Sequence, residues 1–387
     1  MGAVEQFIGE IGGELPPNLD PATIDHEEDD RAVRGLVPLV EDLYDRHLDS
    51  SKPWYPHLVV PYDLGKTYPP DPKDNVFVPG ASPMPLEVRT AFEIGLLTED
   101  NLPGYFNSKE VRMGHLSEAH SGWIRTWTAE EGLHAIGIRD LLIVTNAVDG
   151  IQLEDDRMLQ VSTMDVPDPP SVTDAIIYTA LQEKATEISH RNSGILLAET
   201  AAYDERYYPI DSEKNRPVDS GEGLTVLSAE EREKRAIIIR QSGRMMMNQV
   251  AKDESRHFAY YNPQVPALLR LAPSHTMHAV LRQVLTFTMP GKGIRDFDAR
   301  ARIIADAGVY DRRIHHDSML DRVVMKGWDI ENIEGLDDDA KRSQEVLVKF
   351  VEFADRNASE FEEKRAERRE AAIARGESPV WVGKEAA

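Results

Sequence analysis

The chain has 387 residues, 41% of them hydrophobic and 29% charged, which is enough for one large domain or two ordinary ones with a sizeable core. It contains no cysteine, so disulfides, iron–sulfur ligation and thiol nucleophiles are all excluded. Lys and Arg number 44 against 68 Asp and Glu, a net charge of -24 whose field repels phosphate backbones and excludes nucleic acid as an expected partner.

Residues 1–15 are acidic and lack a basic start followed by an apolar stretch, so neither a secretory signal nor a transit peptide is expected, and the cytoplasm is the default compartment. No apolar run approaches the roughly 20 residues that span a bilayer, so no membrane span is expected. Residues 1–30, rich in Pro, Asp and Glu, read as an extended or flexible arm. Val33, Leu36, Val37, Val40, Leu43 and Tyr44 then fall at helical spacing. A Pro-rich connector follows over 51–83, where each proline removes a donor and disfavours helix before it.

From Pro85 onward the pattern is helical, with long helices predicted over about 85–107, 117–148, 172–202 and 228–261. Ser171-x-x-Asp174 and Ser228-x-x-Glu231 resemble capping boxes at two of the starts. The polar stretch 203–227 reads as a surface loop. Further helices are predicted at about 264–288, 297–307, 315–325 and 338–374. Strand-like alternation is nearly absent and no break divides the chain, so the expectation is a single all-α domain over 1–387, a four-helix bundle elaborated with additional helices.

Glu131-Gly-Leu-His134 and Glu254-Ser-Arg-His257 are both Glu-x-x-His. Three residues apart on a helix is about 60° around the axis, so each pair can grip one metal ion from one face. Glu187-Ile-Ser-His190 is a third instance, and the pattern alone does not choose among the three. Context does: the first two lie mid-helix on separate helices, with Glu99 and Glu183 on two others. A Glu, Glu-x-x-His, Glu, Glu-x-x-His order is that of the ferritin-like di-iron carboxylate bundle. Carboxylates with one imidazole per ion suit iron or manganese better than zinc or copper.

With these residues in view, a resemblance becomes specific. Trp127-Thr-Ala-Glu-Glu131-x-x-His134, Gln182-Glu183-x-Ala-Thr186 with Ile188-Ser-His190, and Asp253-Glu254-x-Arg-His257 resemble the soluble acyl-acyl-carrier-protein desaturases. Thr98-Glu99-Asp100-x-Leu102-Pro103 is similar to their first ligand helix, and Met289-Pro290 and Pro379-Val-Trp381 to later landmarks. The likeness runs from about residue 40 to 385. It implies a homodimeric oxidoreductase of fatty acid and lipid metabolism, with two iron ions on Glu99, Glu131, His134, Glu183, Glu254 and His257. It further implies O2 as co-substrate, electrons from ferredoxin or a similar reductant, and an acyl chain presented by acyl carrier protein. By the same resemblance, Trp54 and Asp253 connect the iron site to the surface, and Thr186 places a hydroxyl beside the metals. The loop at 203–227 reads as an insertion, since Glu183 and Glu254 stand 71 residues apart. Glu187 stands where the plant enzymes carry an aromatic residue, either as a solvent-facing or salt-bridged helix residue or as an extra carboxylate near the cavity.

Leu96, Leu97, Ile136, Leu181 and Met247 are candidates for an acyl tunnel, or plain core. Lys364, Arg365, Arg368 and Arg369 have i, i+4 spacing and form either a landing site for the acidic carrier or a helix face paired with Glu362, Glu363, Glu367 and Glu370. His115, His120, His315 and His316 read as structural or exposed. The rivals are another di-iron oxygenase (a hydroxylase or N-oxygenase) and a non-catalytic iron-binding paralogue. An aryl-amine N-oxygenase adds a histidine one turn before its second Glu-x-x-His, where this chain has Val250, and the ribonucleotide reductase tyrosine position is Ile138.

Overall fold

Two prolines explain where the helical pattern breaks in this computed structural model, which describes residues 3–13, 15–74, 77, 82–203, 228–291, 293–377 and 379–381. The helix predicted over 85–107 is two, α4 (Leu86–Glu99) and α5 (Leu102–Lys109). Pro103 has no N–H for the carbonyl of Glu99, four residues back, so α4 ends there. In the same way 264–288 divides into α10 (Gln264–Leu271) and α11 (Pro273–Thr286) at Pro273. A π-helical turn, Glu110–Gly114, follows α5.

The remaining long helices lie close to their predicted spans: α6 (Glu118–Val144), α8 (Val172–Thr200), α9 (Ala229–Tyr261), α12 (Phe297–Asp306) and α14 (Asp338–Ala374). The helix expected at 315–325 is a short turn α13 (Arg312–Ile314) running into a π-helix, His315–Gly327. Beyond the N-terminal arm, one helix, α7 (Gly150–Thr163), escaped the sequence pattern. Its buried residues are Leu153, Asp156 and Gln160, two of them polar, so its inner face gives little hydrophobic signal. No strand occurs among the described residues.

The capping box at Ser228 is complete, with Glu231 returning to the cap N–H. At Ser171 only half of it forms. The Asp174 carboxylate turns instead to Arg282 (2.8 and 2.9 Å) and Gln283 (2.7 Å). A carboxylate from elsewhere serves this helix end: Asp29 accepts from the N–H groups of Val172 and Thr173. Asp29 belongs to α2 (His26–Gly35), which leads into α3 (Val37–Ser50). The N-terminal arm is therefore not extended. Its α1 (Ala3–Glu10) buries Phe7 against Phe350 and Phe353 of α14, ring centroids 5.1 and 5.4 Å away. The connector over 51–83 holds short 3-10 turns, with Trp54, Val59 and Val60 buried. Pro79 in it, Ser378, and 204–227 of the expected insertion lie outside the described residues.

Helices α8 and α9 form the most extensive pair in the fold. Glycines permit the approach: a Cβ on Gly194 would lie 2.8 Å from the Met247 Cβ, and one on Gly243 would lie 2.1 Å from a Leu197 methyl. With α4 and α6 packed beside them, four helices enclose one line of inward-facing carboxylates.

Candidate metal centre

The six expected residues converge. Glu99 is the last residue of α4, Glu131 and His134 share a face of α6, Glu183 lies mid-way along α8, and Glu254 and His257 share a face of α9. They form two overlapping groups, Glu99–Glu131–His134–Glu254 and Glu131–Glu183–Glu254–His257, in each of which the ligand atoms all lie within 4.8 Å of one another. Glu131 and Glu254 belong to both. Every member is buried, the two histidines completely.

The shortest approaches run both within α6 and between helices. Nδ1 of His134 is 2.9 Å from Glu131 and 3.3 Å from Glu254, and Nδ1 of His257 is 2.9 Å from Glu131 and 3.4 Å from Glu183. Both Nδ1 atoms, with Glu131 Oε2 and Glu254 Oε1, are buried without a hydrogen-bond partner. Unpaired buried polar atoms are costly, so four of them shared between these two groups fit bound cations. The electrostatics agree. Burial, then the charges of Glu131 and Glu254, pushes Glu99 well up, and burial with Glu131 does the same to Glu254. Burial is the largest influence and opposes charge on both imidazoles, yet the surrounding carboxylates together outweigh it and raise them, Glu131 with Glu254 at His134 and Glu131 with Glu130 and Glu183 at His257. Their imidazoles in turn hold Glu131 down against burial. All-carboxylate and imidazole donors match two hard or borderline cations such as iron.

Outside the groups, each histidine passes its Nε2 to a carboxylate. His134 pairs with Asp253 at 3.2 Å, and Asp253 accepts the indole N–H of Trp54 at 2.6 Å and pairs with Arg256. His257 pairs with Glu130 at 2.9 Å, and Glu130 also meets His47 and the Ser51 hydroxyl. Burial works to raise Glu130, but its partners His257 and His47 hold it well below the usual carboxylate range. The Thr186 hydroxyl donates to Glu254 at 2.7 Å, and the Trp127 indole donates to Glu183 at 3.1 Å.

Three features were not foreseen. The expectation that Asp253 links the site to the surface did not extend to its pairing: it and Glu130 each stand directly before a glutamate of the groups and pair with a histidine, so that the pattern in both places is acid-Glu-x-x-His. The third Glu-x-x-His is preceded by Thr186, a difference readable in the sequence. His190 of that motif still reaches the site, its Nε2 3.0 Å from Glu99 Oε1, and burial holds it down to about 3. Glu187 is buried and paired with Lys184 (2.8 Å) and Arg191. The last feature, Lys109, is buried beside Trp127, where burial pushes it down to about 8.

The tunnel candidates fared differently. A cavity of about 120 Å³ opens beside Glu99, Thr186 and His190, walled by Ala91, Gly95, Ala185, Phe297, Ile304 and Tyr310. Leu96, Leu97, Leu181 and Met247 are buried core and do not line it. Ile136 is half exposed, on a separate open groove beside Met158. The small residues wall the space because they leave room, which hydrophobicity alone does not signal. The basic cluster on α14 is largely spent internally. Arg365 pairs with Asp311, Arg368 with Asp306, and Arg369 with the Asp306 carbonyl, leaving Lys364 on Glu360 at 3.5 Å. His120 bonds Ser117, His315 bonds Tyr310, and His316 bonds Asp317.

No helix among the described residues is long and apolar enough to cross a membrane. A Mycobacterium tuberculosis protein, DesA1, named as an acyl-[acyl-carrier-protein] desaturase, is 30% identical over 338 residues, 85% of this chain and 87% of its own. DesA2 of the same organism, with the same kind of name, is 25% identical over 77% of this chain and 93% of its own. The crystal structure of DesA2 shares the all-helical fold, with a TM-score of 0.54 at 22% identity over 81% of this chain and 98% of that one. The sequence profile described as fatty acid desaturase matches residues 30–206 and 231–376, nearly the whole bundle and the helices beyond it. The chain belongs to the fatty acid desaturase family.

Proposed function

We propose that this chain desaturates an acyl chain carried on acyl carrier protein, using O2 and external electrons from a ferredoxin-type donor at a di-iron centre. The observation that carries the reading is the pair of buried Glu/His groups sharing Glu131 and Glu254, with unpartnered ligand atoms, at the wall of a mostly apolar cavity. The names of DesA1 and DesA2 support the substrate class.

Glu99, Glu131, His134 and Glu254 would hold one iron and Glu131, Glu183, Glu254 and His257 the other. When bound, the metal pair supplies the oxidising power to remove two hydrogens from an unactivated CH2–CH2 unit, which no side-chain acid or base can do. In balance, the alkyl chain loses two hydrogens while O2 takes these, two electrons and two protons to become two waters.

This chain's residues supply the setting. Asp253 and Glu130 fix the ring of each histidine and leave Nδ1 inward. Thr186 orients Glu254 through a 2.7 Å hydrogen bond. Trp54 extends the His134–Asp253 line away from the site and is the entry point for electrons. Burial of all six ligands excludes water, and the cavity beside Glu99 and Thr186 holds the target carbons in place.

The test is mass spectrometry of acyl chains after iron-loaded protein is incubated with carrier-bound saturated substrates, a reductase and a ferredoxin. A product lighter by two hydrogens, absent in E131A, is expected. Hydroxylated product alone, or none from any carrier-bound chain despite full iron content, would defeat the reading.

A further inference from the structure

Two spaces border the carboxylates, and they differ in kind. The cavity on the His190 side measures about 120 Å³ and is mostly apolar. A second space, of only about 10 Å³, is walled by Glu99, Glu131 and Glu254 and by Tyr105, Trp127 and Gln182. Both groups of ligand atoms include a histidine, and neither His134 nor His257 borders this second space, so it lies beside the cation positions rather than at them. A volume of that size holds about one water and no carbon chain.

One of its walls carries an unmet donor. Tyr105, on α5, is buried, and its hydroxyl has no hydrogen-bond partner among the described residues. Other buried tyrosines have theirs: Tyr178 donates to the Thr288 carbonyl at 3.2 Å, and Tyr261 accepts from the Trp123 indole at 3.0 Å. The Tyr105 ring packs edge-on against Trp127, 6.3 Å between centroids and 86° between planes, which limits its freedom to turn elsewhere. Burial pushes the phenol well up, so it keeps its proton and is a donor. A buried donor without an acceptor is costly, and an occupant of the small space would supply one.

We propose that the small space is a binding site for one water or one anion of that size, held by a hydrogen bond from the Tyr105 hydroxyl. This deepens the desaturase reading and rests on its metal centre. It divides the surroundings of that centre by size: an acyl chain takes the apolar cavity, and a single small ligand takes the polar space that the chain cannot enter. Three carboxylates repel an anion, so an anion stays only when cations occupy both groups.

Fluoride, an anion about as large as water, is the probe. Iron-loaded, oxidised protein is titrated with it and followed by near-ultraviolet and visible absorbance. The wild type should take up one fluoride per chain, and metal-free protein none. Y105F, which keeps the ring, should bind fluoride about 10-fold more weakly or worse, because a hydrogen bond to a charged group is lost. Its iron content and helical circular dichroism should not change. Q182L, which takes a second polar group from the wall, should weaken fluoride binding by less. Y178F, whose hydroxyl lies on another carbonyl, should leave it unchanged. Affinity unmoved in folded, iron-full Y105F, or weakened as far in Y178F, overturns the site. So does a wild type that holds iron and takes up no fluoride, and so does loss of iron from Y105F, which would make the hydroxyl a brace for the metal residues. Fluoride binding needs neither substrate nor electrons. The expected fluoride pattern with no desaturated product from any carrier-bound chain therefore keeps the site and sinks the desaturase reading, and desaturated product with fluoride affinity unmoved by Y105F does the reverse.

Discussion

The two histidines of the site are held alike and connected differently. Each gives its Nε2 to the acid that precedes a ligand glutamate on the opposite helix, so α6 and α9 brace one another crosswise. Beyond that the arms diverge. Asp253 is buried and takes the Trp54 indole, whose ring lies nearly parallel to that of His134, 14° between planes and 6.4 Å between centroids. Glu130 is partly open to water and meets an imidazole and a hydroxyl, from His47 and Ser51. An indole stacked on the ring of a candidate ligand has the parts for passing an electron. A carboxylate between an imidazole and a hydroxyl has the parts for passing a proton. Equal bracing does not require equal surroundings, and one short stretch, residues 47–54, supplies both.

Substitutions rank this comparison. Removing either ligand, as in H134A or H257A, should cost at least about 100-fold in turnover, more than the usual loss of an outer partner. Each should lower the iron content measured by atomic emission while the helical circular dichroism persists. Full iron in both variants would mean the groups are wrongly assigned. Next come D253A and E130A, each expected to weaken iron affinity by about 10- to 100-fold, since each frees one ring to rotate. Loss in one and not the other would break the crosswise symmetry. W54F separates the arms. Iron content should hold while reduction by ferredoxin, followed by stopped-flow absorbance, slows about tenfold, the low end for an outer partner. H47A should leave that rate unchanged and alter the solvent deuterium isotope effect instead. The smallest effect is expected of S51A, which removes one hydrogen bond to a charged group and should change iron affinity about tenfold or less. A larger loss there would make the hydroxyl more than a brace.

Much of this was legible in the residues because both devices are local. A Glu-x-x-His pair on one helix face is set by the turn of the helix, and four long helices with the pairs mid-way leave few ways to converge. What escaped was set by distance in sequence. Nothing near Asp29 announces that it closes the start of α8, 143 residues on. The break at Glu99 was readable from Pro103, yet the periodic pattern ran across it. The cavity wall escaped for another reason. A hydrophobic side chain marks where space is filled, so Leu96 and Met247 drew attention while Ala91, Gly95 and Ala185 mark where it is not. The arginines of α14 read as a landing site or as paired with glutamates of their own helix because their partners, Asp306 and Asp311, lie on segments that only folding brings near.

Glu99 and Glu183 are formal counterparts, but one closes a helix and the other sits in the middle of the most deeply buried one. The last residue of α4 has no following turn to lock its carbonyl, and Asp100 and Asn101 form a short joint before α5 begins. Local opening is least costly where backbone hydrogen bonds run out. Amide exchange should therefore be faster around residues 99–101 than along the middle of α8.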